Sequence, residues 1–107
     1  MGTLYVVGTP IGNMEDVTFR QLETLKSVDF IAAEDTRVTL KLLNRYGIKK
    51  TLVSYHRHSG ENCALSIMER IKNGENAAIV TDAGMPCISD PGEDLVKICA
   101  ENEVDVK

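Results

Sequence analysis

VTDAGMPCISDPG, Val80 to Gly92, is the stretch that decides the fold. It follows AAIVT (77–81), a short β-branched apolar run that reads as a buried strand. It closes on Asp90-Pro91-Gly92-Glu93, which has the form of a helix start. Asp90 serves as N-cap, Pro91 takes the first helical position, and Glu93 stands three residues beyond the cap. Between strand and helix the chain spends two Asp, two Pro and two Gly within thirteen residues. Gly84 lifts the steric limit on φ, and Pro86 stiffens the path.

The same order of strand, unusual loop and helix repeats outward from this stretch. TLYVVG (3–8) reads as a strand buried on both faces, and Thr18-Phe19-Arg20-Gln21 has capping-box spacing. Phe19, Leu22 and Leu25 continue at helical intervals, giving a helix over 18–27. DFIAA (29–33) is a second strand, and TRVTLKLLNRYG (36–47) a helix closed by Gly47. In that helix Val38, Leu42 and Tyr46 are expected on one face and Arg37, Lys41 and Arg45 on another. TLVSY (51–55) is a third strand, 62–73 a helix stopped by Gly74, and VDVK (104–107) a fifth strand lacking its second half. Strands alternating with helices at this spacing predict a three-layer α/β/α domain around a parallel sheet of about five strands.

Right-handed crossovers place every strand-to-helix loop on the carboxyl edge of such a sheet, where open α/β sheets bind ligands. GTPIGNMED, EDTR, HRHSGE and DAGMPCISDPG all fall on that rim, whereas the opposite connections, SV, GIKK, GEN and ENE, are short and plain. The asymmetry favours a ligand-binding enzyme domain over a scaffold. Gly8 and Gly12 allow close backbone approach, but the segment is neither GxGxxG nor a nucleoside-triphosphate loop. The loop from Asp82 through Ala83 and Gly84 suits a compact polar ligand such as a nucleoside.

Net charge is −4, yet 36–60 carries six Lys/Arg, two His and no Asp or Glu. This is a basic patch on an acidic body, with a solvated helix face as the alternative. Three cysteines without CxxC spacing suggest neither a disulfide framework nor a zinc site. His56 and His58 could face one side of a strand, but no third ligand is fixed, and no metal is expected. His56 suits proton transfer or substrate contact, Arg37 suits a phosphate, and Asp35 or Thr36 suits a helix cap. No segment approaches the ~20 apolar residues that span a bilayer, and MGTLYVVGTP lacks a signal-peptide pattern, so a cytoplasmic location is expected.

LYVVGTPIGNMEDVTFR, IAAEDTRVTLKLL, SYHRHS and VTDAGMPCISDPG, in this order, closely resemble the amino-terminal domain of the ribosomal small-subunit RNA (cytidine-2′-O)-methyltransferase family, within the tetrapyrrole methylase superfamily. The resemblance implies S-adenosylmethionine-dependent methylation of a ribose 2′-hydroxyl in small-subunit (16S) rRNA, by a two-domain protein that dimerises at full length. By that resemblance Gly8, Pro10, Gly12, Asp82, Ala83, Gly84, Ile88 and Ser89 border the cofactor. The superfamily's usual GxGPGD is replaced here by GTPIGN. Glu34 and His56 are assigned to the reacting ribose, and Arg37, Lys41, Arg45 and Arg57 to RNA phosphates. His56, Glu34 and Asp82 stay open as proton acceptors. Residues 1–107 are expected to be the first domain, without the second, and inactive alone. A corrinoid-precursor methylase and a non-enzymatic binding module of the same fold are the rival readings.

Overall fold

The computed structural model describes residues 1–9, 17–33, 36–55, 60–82 and 91–107. Strands and helices alternate: β1 (Thr3–Thr9), α1 (Phe19–Ser27), β2 (Phe30–Ala33), α2 (Thr36–Arg45), β3 (Thr51–Ser54), α3 (Gly60–Lys72), β4 (Ala77–Asp82), α4 (Pro91–Glu101) and β5 (Asp105–Val106). The sheet order is β3-β2-β4-β1-β5, and every neighbouring pair is parallel. This is the three-layer parallel architecture expected from the sequence.

Two apolar layers hold the helices to the sheet. Leu25 and Val28 at the end of α1 and Leu43 of α2 pack with Val7, Ile31 and Ala78 on one face. Ala64, Ile67, Met68 and Ile71 of α3 and Leu95 and Cys99 of α4 pack with Leu4, Phe30, Ala32 and Ile79 on the other. Connections running toward β3 use the first face and those running back use the second, as right-handed crossovers require. β2 is buried along its whole length, because it has strands on both sides and a layer on both faces.

Three helices end in one motif. Ile48 N donates to Leu43 O at 2.9 Å and Gly47 N to Asn44 O at 3.2 Å. Glu75 and Gly74 repeat these bonds after α3, and Val104 and Glu103 after α4. The pattern needs a left-handed residue at the turn, supplied by Gly47 at φ +69° and Gly74 at φ +115°. After α4 that position is Glu103, at φ 62°.

Three sequence expectations shift. In α2 the buried residues are Thr39, Leu42 and Leu43, and Val38 is 54% exposed. Successive residues four apart advance about 40° around a helix, so Val38 stands about 80° from Tyr46 and leaves the sheet-facing stripe. In α1 Leu25 is buried and Leu22 half-buried, but Phe19, in the first turn, is 77% exposed. In β1 Leu4 and Val7 are buried while Val6 is 41% exposed. Val6 shares the face of Leu4, and beside it β5 pairs in register only with Thr3 and Leu4.

The amino edge of the sheet is tied by polar groups. Asn76 O accepts from Asp29 N at 2.8 Å, and Asp29 Oδ2 accepts in return from Asn76 N at 2.8 Å. Asn76 Oδ1 accepts from Thr3 N at 2.9 Å, so one residue joins the starts of β1, β2 and β4. Beside it Arg70 donates from Nε to Glu75 at 2.7 Å and lies 3.8 Å over the Phe30 ring. The hydrogen bond to Glu75 raises the Arg70 pKa further above its ordinary value. These groups are structural, and they lie opposite the rim that carries the unusual loops.

Candidate functional site

At the carboxyl edge β1 and β4 run two residues beyond the end of β2. Thr9 pairs with Asp82, and Ala33 lies between Val80 and Ser54. From that edge the chain leaves β3 for α3 on one face, β2 for α2 on the other, β4 for α4 on the first, and β1 for α1 on the second. Each of these neighbouring strands therefore sends its chain away from the next. Divergence of this kind opens a crevice, and here it occurs at β3/β2, at β2/β4 and at β4/β1. All four helices also begin at this edge, which aims their positive dipole ends toward it.

Gly8 and Asp82 are brought to this edge by β1 and β4, in register one step apart. Gly8 is half-buried and pairs with Thr81, and its carbonyl accepts a hydrogen bond from Gln21 Nε2. Gln21 also completes the expected capping box: its Oε1 accepts from Thr18 N at 2.9 Å, and Thr18 Oγ1 accepts from Gln21 N at 3.1 Å. The spacing of Thr18 and Gln21 announces the cap in the sequence, but nothing there announces the bond to Gly8. Gly8, with no side chain, lets another group approach the backbone closely at the end of β1.

Arg37, Lys41 and Arg45 are all exposed on α2. Arg37 stands in the first turn, at the rim, and the row runs about 12 Å along the helix toward the opposite edge. The expected cationic row thus leads away from the crevice rather than lining it. Thr36 is the first residue of α2 and so does not occupy its cap position.

The remaining expected residues, Pro10, Gly12, Glu34, Asp35, His56, Arg57, His58, Ala83, Gly84, Pro86, Ile88, Ser89 and Asp90, lie outside the described residues. Tyr55 leads into the histidine segment. It is buried against the α3/α4 layer, and its N–H donates to Ala33 O at 2.9 Å, extending the β2/β3 ladder by one residue. Cys63 Sγ lies 3.7 Å from Ser54 O. Burial pushes the Cys99 thiol up to about 11, so it is protonated at neutral pH and behaves as a core side chain.

A parallel α/β domain with a divergent carboxyl edge is an architecture that many ligand-binding enzymes use. Residues 3–107 match the family described as Tetrapyrrole (Corrin/Porphyrin) Methylases, and the chain belongs to that family. It is 60% identical over 97 residues to Ribosomal RNA small subunit methyltransferase I of Bacillus subtilis (strain 168), covering 91% of this chain and 33% of that protein. To the protein of the same name from Thermotoga maritima it is 52% identical over 106 residues, covering 99% and 48%. The chain thus spans between a third and about half of the length of these curated relatives. Among solved structures, the Aeropyrum pernix K1 protein APE0931 superposes with a TM-score of 0.74 at 21% identity, over 99% of this chain and 37% of that one. The methyltransferase CobJ superposes at 0.69 and 16% identity, over 100% and 45%. Likeness at those identities establishes the fold alone. Among the described residues, no helix is long and apolar enough to cross a membrane.

Proposed function

We propose that this chain is the amino-terminal domain of a cytoplasmic, homodimeric methyltransferase that transfers a methyl group from S-adenosylmethionine to the ribose 2′-hydroxyl of a cytidine in small-subunit rRNA. The observation that carries the reading is 60% identity, across nine-tenths of the chain, to a relative named for small-subunit rRNA methylation. The crevice at β4/β1 supports it from the geometry.

When bound, S-adenosylmethionine supplies an electrophilic methyl carbon on a sulfonium. A ribose hydroxyl accepting that methyl group would have to give up its proton to a base of this chain. Gly8, Pro10, Gly12 and the loop from Asp82 through Ile88 and Ser89 hold and orient the donor. Holding donor and ribose in place relative to one another would supply much of the acceleration. His56, Glu34 or Asp82 takes the proton, since a ribose hydroxyl is a poor nucleophile until that proton is leaving. Arg37, Lys41, Arg45 and Arg57 hold rRNA phosphates, and the row on α2 gives the RNA a track leading off the rim.

The test is methyl transfer from labelled S-adenosylmethionine to small ribosomal subunits, by the protein at the full length of its relatives. Label in a cytidine ribose supports the proposal. Label in a base, or in a corrinoid precursor offered alongside, refutes it.

A further inference from the structure

We infer that Gln21 is a positioning residue for the methyl-donor seat: its side-chain amide holds the Gly8 carbonyl and so fixes the backbone where β1 reaches the rim. This rests on the reading that the crevice beside Gly8 takes S-adenosylmethionine.

The direction of the Gly8 carbonyl follows from the ladder below it. Lys107 N donates to Leu4 O at 2.8 Å and Val6 N donates to Lys107 O at 3.5 Å, so the even-numbered peptide groups of β1 turn toward β5. Gly8, two residues on, has the same sense. In place of a strand N–H, its carbonyl receives the Gln21 amide. The ladder with β4 holds this peptide from one side, and the Gln21 amide holds its carbonyl on the other, where glycine brings no side chain to restrict the backbone. The anchor comes from a side chain whose one oxygen, Oε1, is already held by Thr18 N in the cap of α1, so the start of α1 is tied to the end of β1.

The choice of residue carries the argument further. A capping box accepts Glu or Gln equally, because only a side-chain oxygen is needed to receive the N-cap N–H. Glutamate has no N–H to give Gly8. Glutamine alone of the two serves both ends, which sets the Gly8 role apart from helix capping.

Two substitutions separate the roles. Gln21→Glu keeps the cap, adds a charge that the helix dipole favours, and sets a carboxylate oxygen against the Gly8 carbonyl. Thr18→Ala removes half the cap and leaves the amide bond to Gly8. In protein of the relatives' full length, S-adenosylhomocysteine affinity is measured by calorimetry and stability by urea midpoint. Gln21→Glu is expected to weaken binding about tenfold, the scale of one lost hydrogen bond made repulsive, with its urea midpoint unchanged or raised. Thr18→Ala is expected to lower the midpoint while its affinity stays within about twofold of wild type. Unchanged affinity in Gln21→Glu overturns the inference, and so does an equal loss of affinity in both variants. Folded wild-type protein that binds no S-adenosylhomocysteine overturns the donor reading itself, and the inference with it.

Discussion

Glu103→Gly should stabilise the domain, although it removes a side chain and adds backbone freedom. Glu103 closes α4 at φ 62°, the position that Gly47 and Gly74 occupy after α2 and α3. A side chain in the left-handed region costs roughly 1–2 kcal/mol, because Cβ crowds the following carbonyl oxygen. Against that, glycine gives the unfolded chain extra freedom worth roughly 0.5–1 kcal/mol. Glu103 is exposed, so little packing is lost. The net gain should be roughly 0.5–1 kcal/mol, or a rise of roughly 3–6 °C in Tm for a domain of this size. Gly47→Ala is the reverse experiment. Its φ is +69° and a new Cβ would meet nothing within 4 Å, so the loss of roughly 1 kcal/mol there should be conformational alone. Calorimetry and urea unfolding read both, and Glu103→Asn should fall between wild type and Glu103→Gly. If Glu103→Gly leaves Tm unchanged or lowers it while Gly47→Ala shows its full cost, the strain assigned to Glu103 is not there.

Gly2→Ala should destabilise by roughly 1–3 kcal/mol, since its Cβ would stand 1.8 Å from Glu75 O while Gly2 N is held to Ile71 O at 2.8 Å; a urea midpoint equal to wild type would remove the clash from the argument. Cys99 sets an alkaline limit. Its folded pKa, about 11, lies above the ordinary thiol value, so the protonated thiol stabilises the fold fully below about pH 8.5 and the contribution is lost as pH rises toward the folded value. Wild-type stability should therefore fall more steeply than that of Cys99→Ala over this window, and parallel curves would show that the thiol contributes nothing. Reversing the charge of Arg37, Lys41 and Arg45 should weaken rRNA binding by the full-length protein and flatten its salt dependence, and unchanged affinity at low salt would rule out the α2 track.

Much of the fold is legible because local chemistry punctuates it. Thr18 and Gln21 mark the start of α1, and Gly47 and Gly74 mark the ends of α2 and α3 through the backbone angles that only glycine adopts without cost. The stop after α4 is less visible, since Glu103 takes the same angle without the residue type that signals it. The inward face of α2 departs from the spacing rule by one position. An i, i+4, i+8 row drifts around the helix, and a threonine, Thr39, fills the stripe where the pattern calls for an apolar residue. Of the candidate site, the shared carboxyl edge follows from parallel order alone, and the matches across residues 3–107 make the family plain.

Alternation of strands with helices, a parallel sheet and a shared border for the unusual loops can all be read from the chain, because periodicity, turn residues and crossover handedness are local or topological rules. The order β3-β2-β4-β1-β5, the alternation of outgoing chains between faces, and the bond from Gln21 to Gly8 emerge only on folding. Those depend on which strands lie side by side and which side chains meet across thirteen residues of chain, and no short-range pattern encodes that.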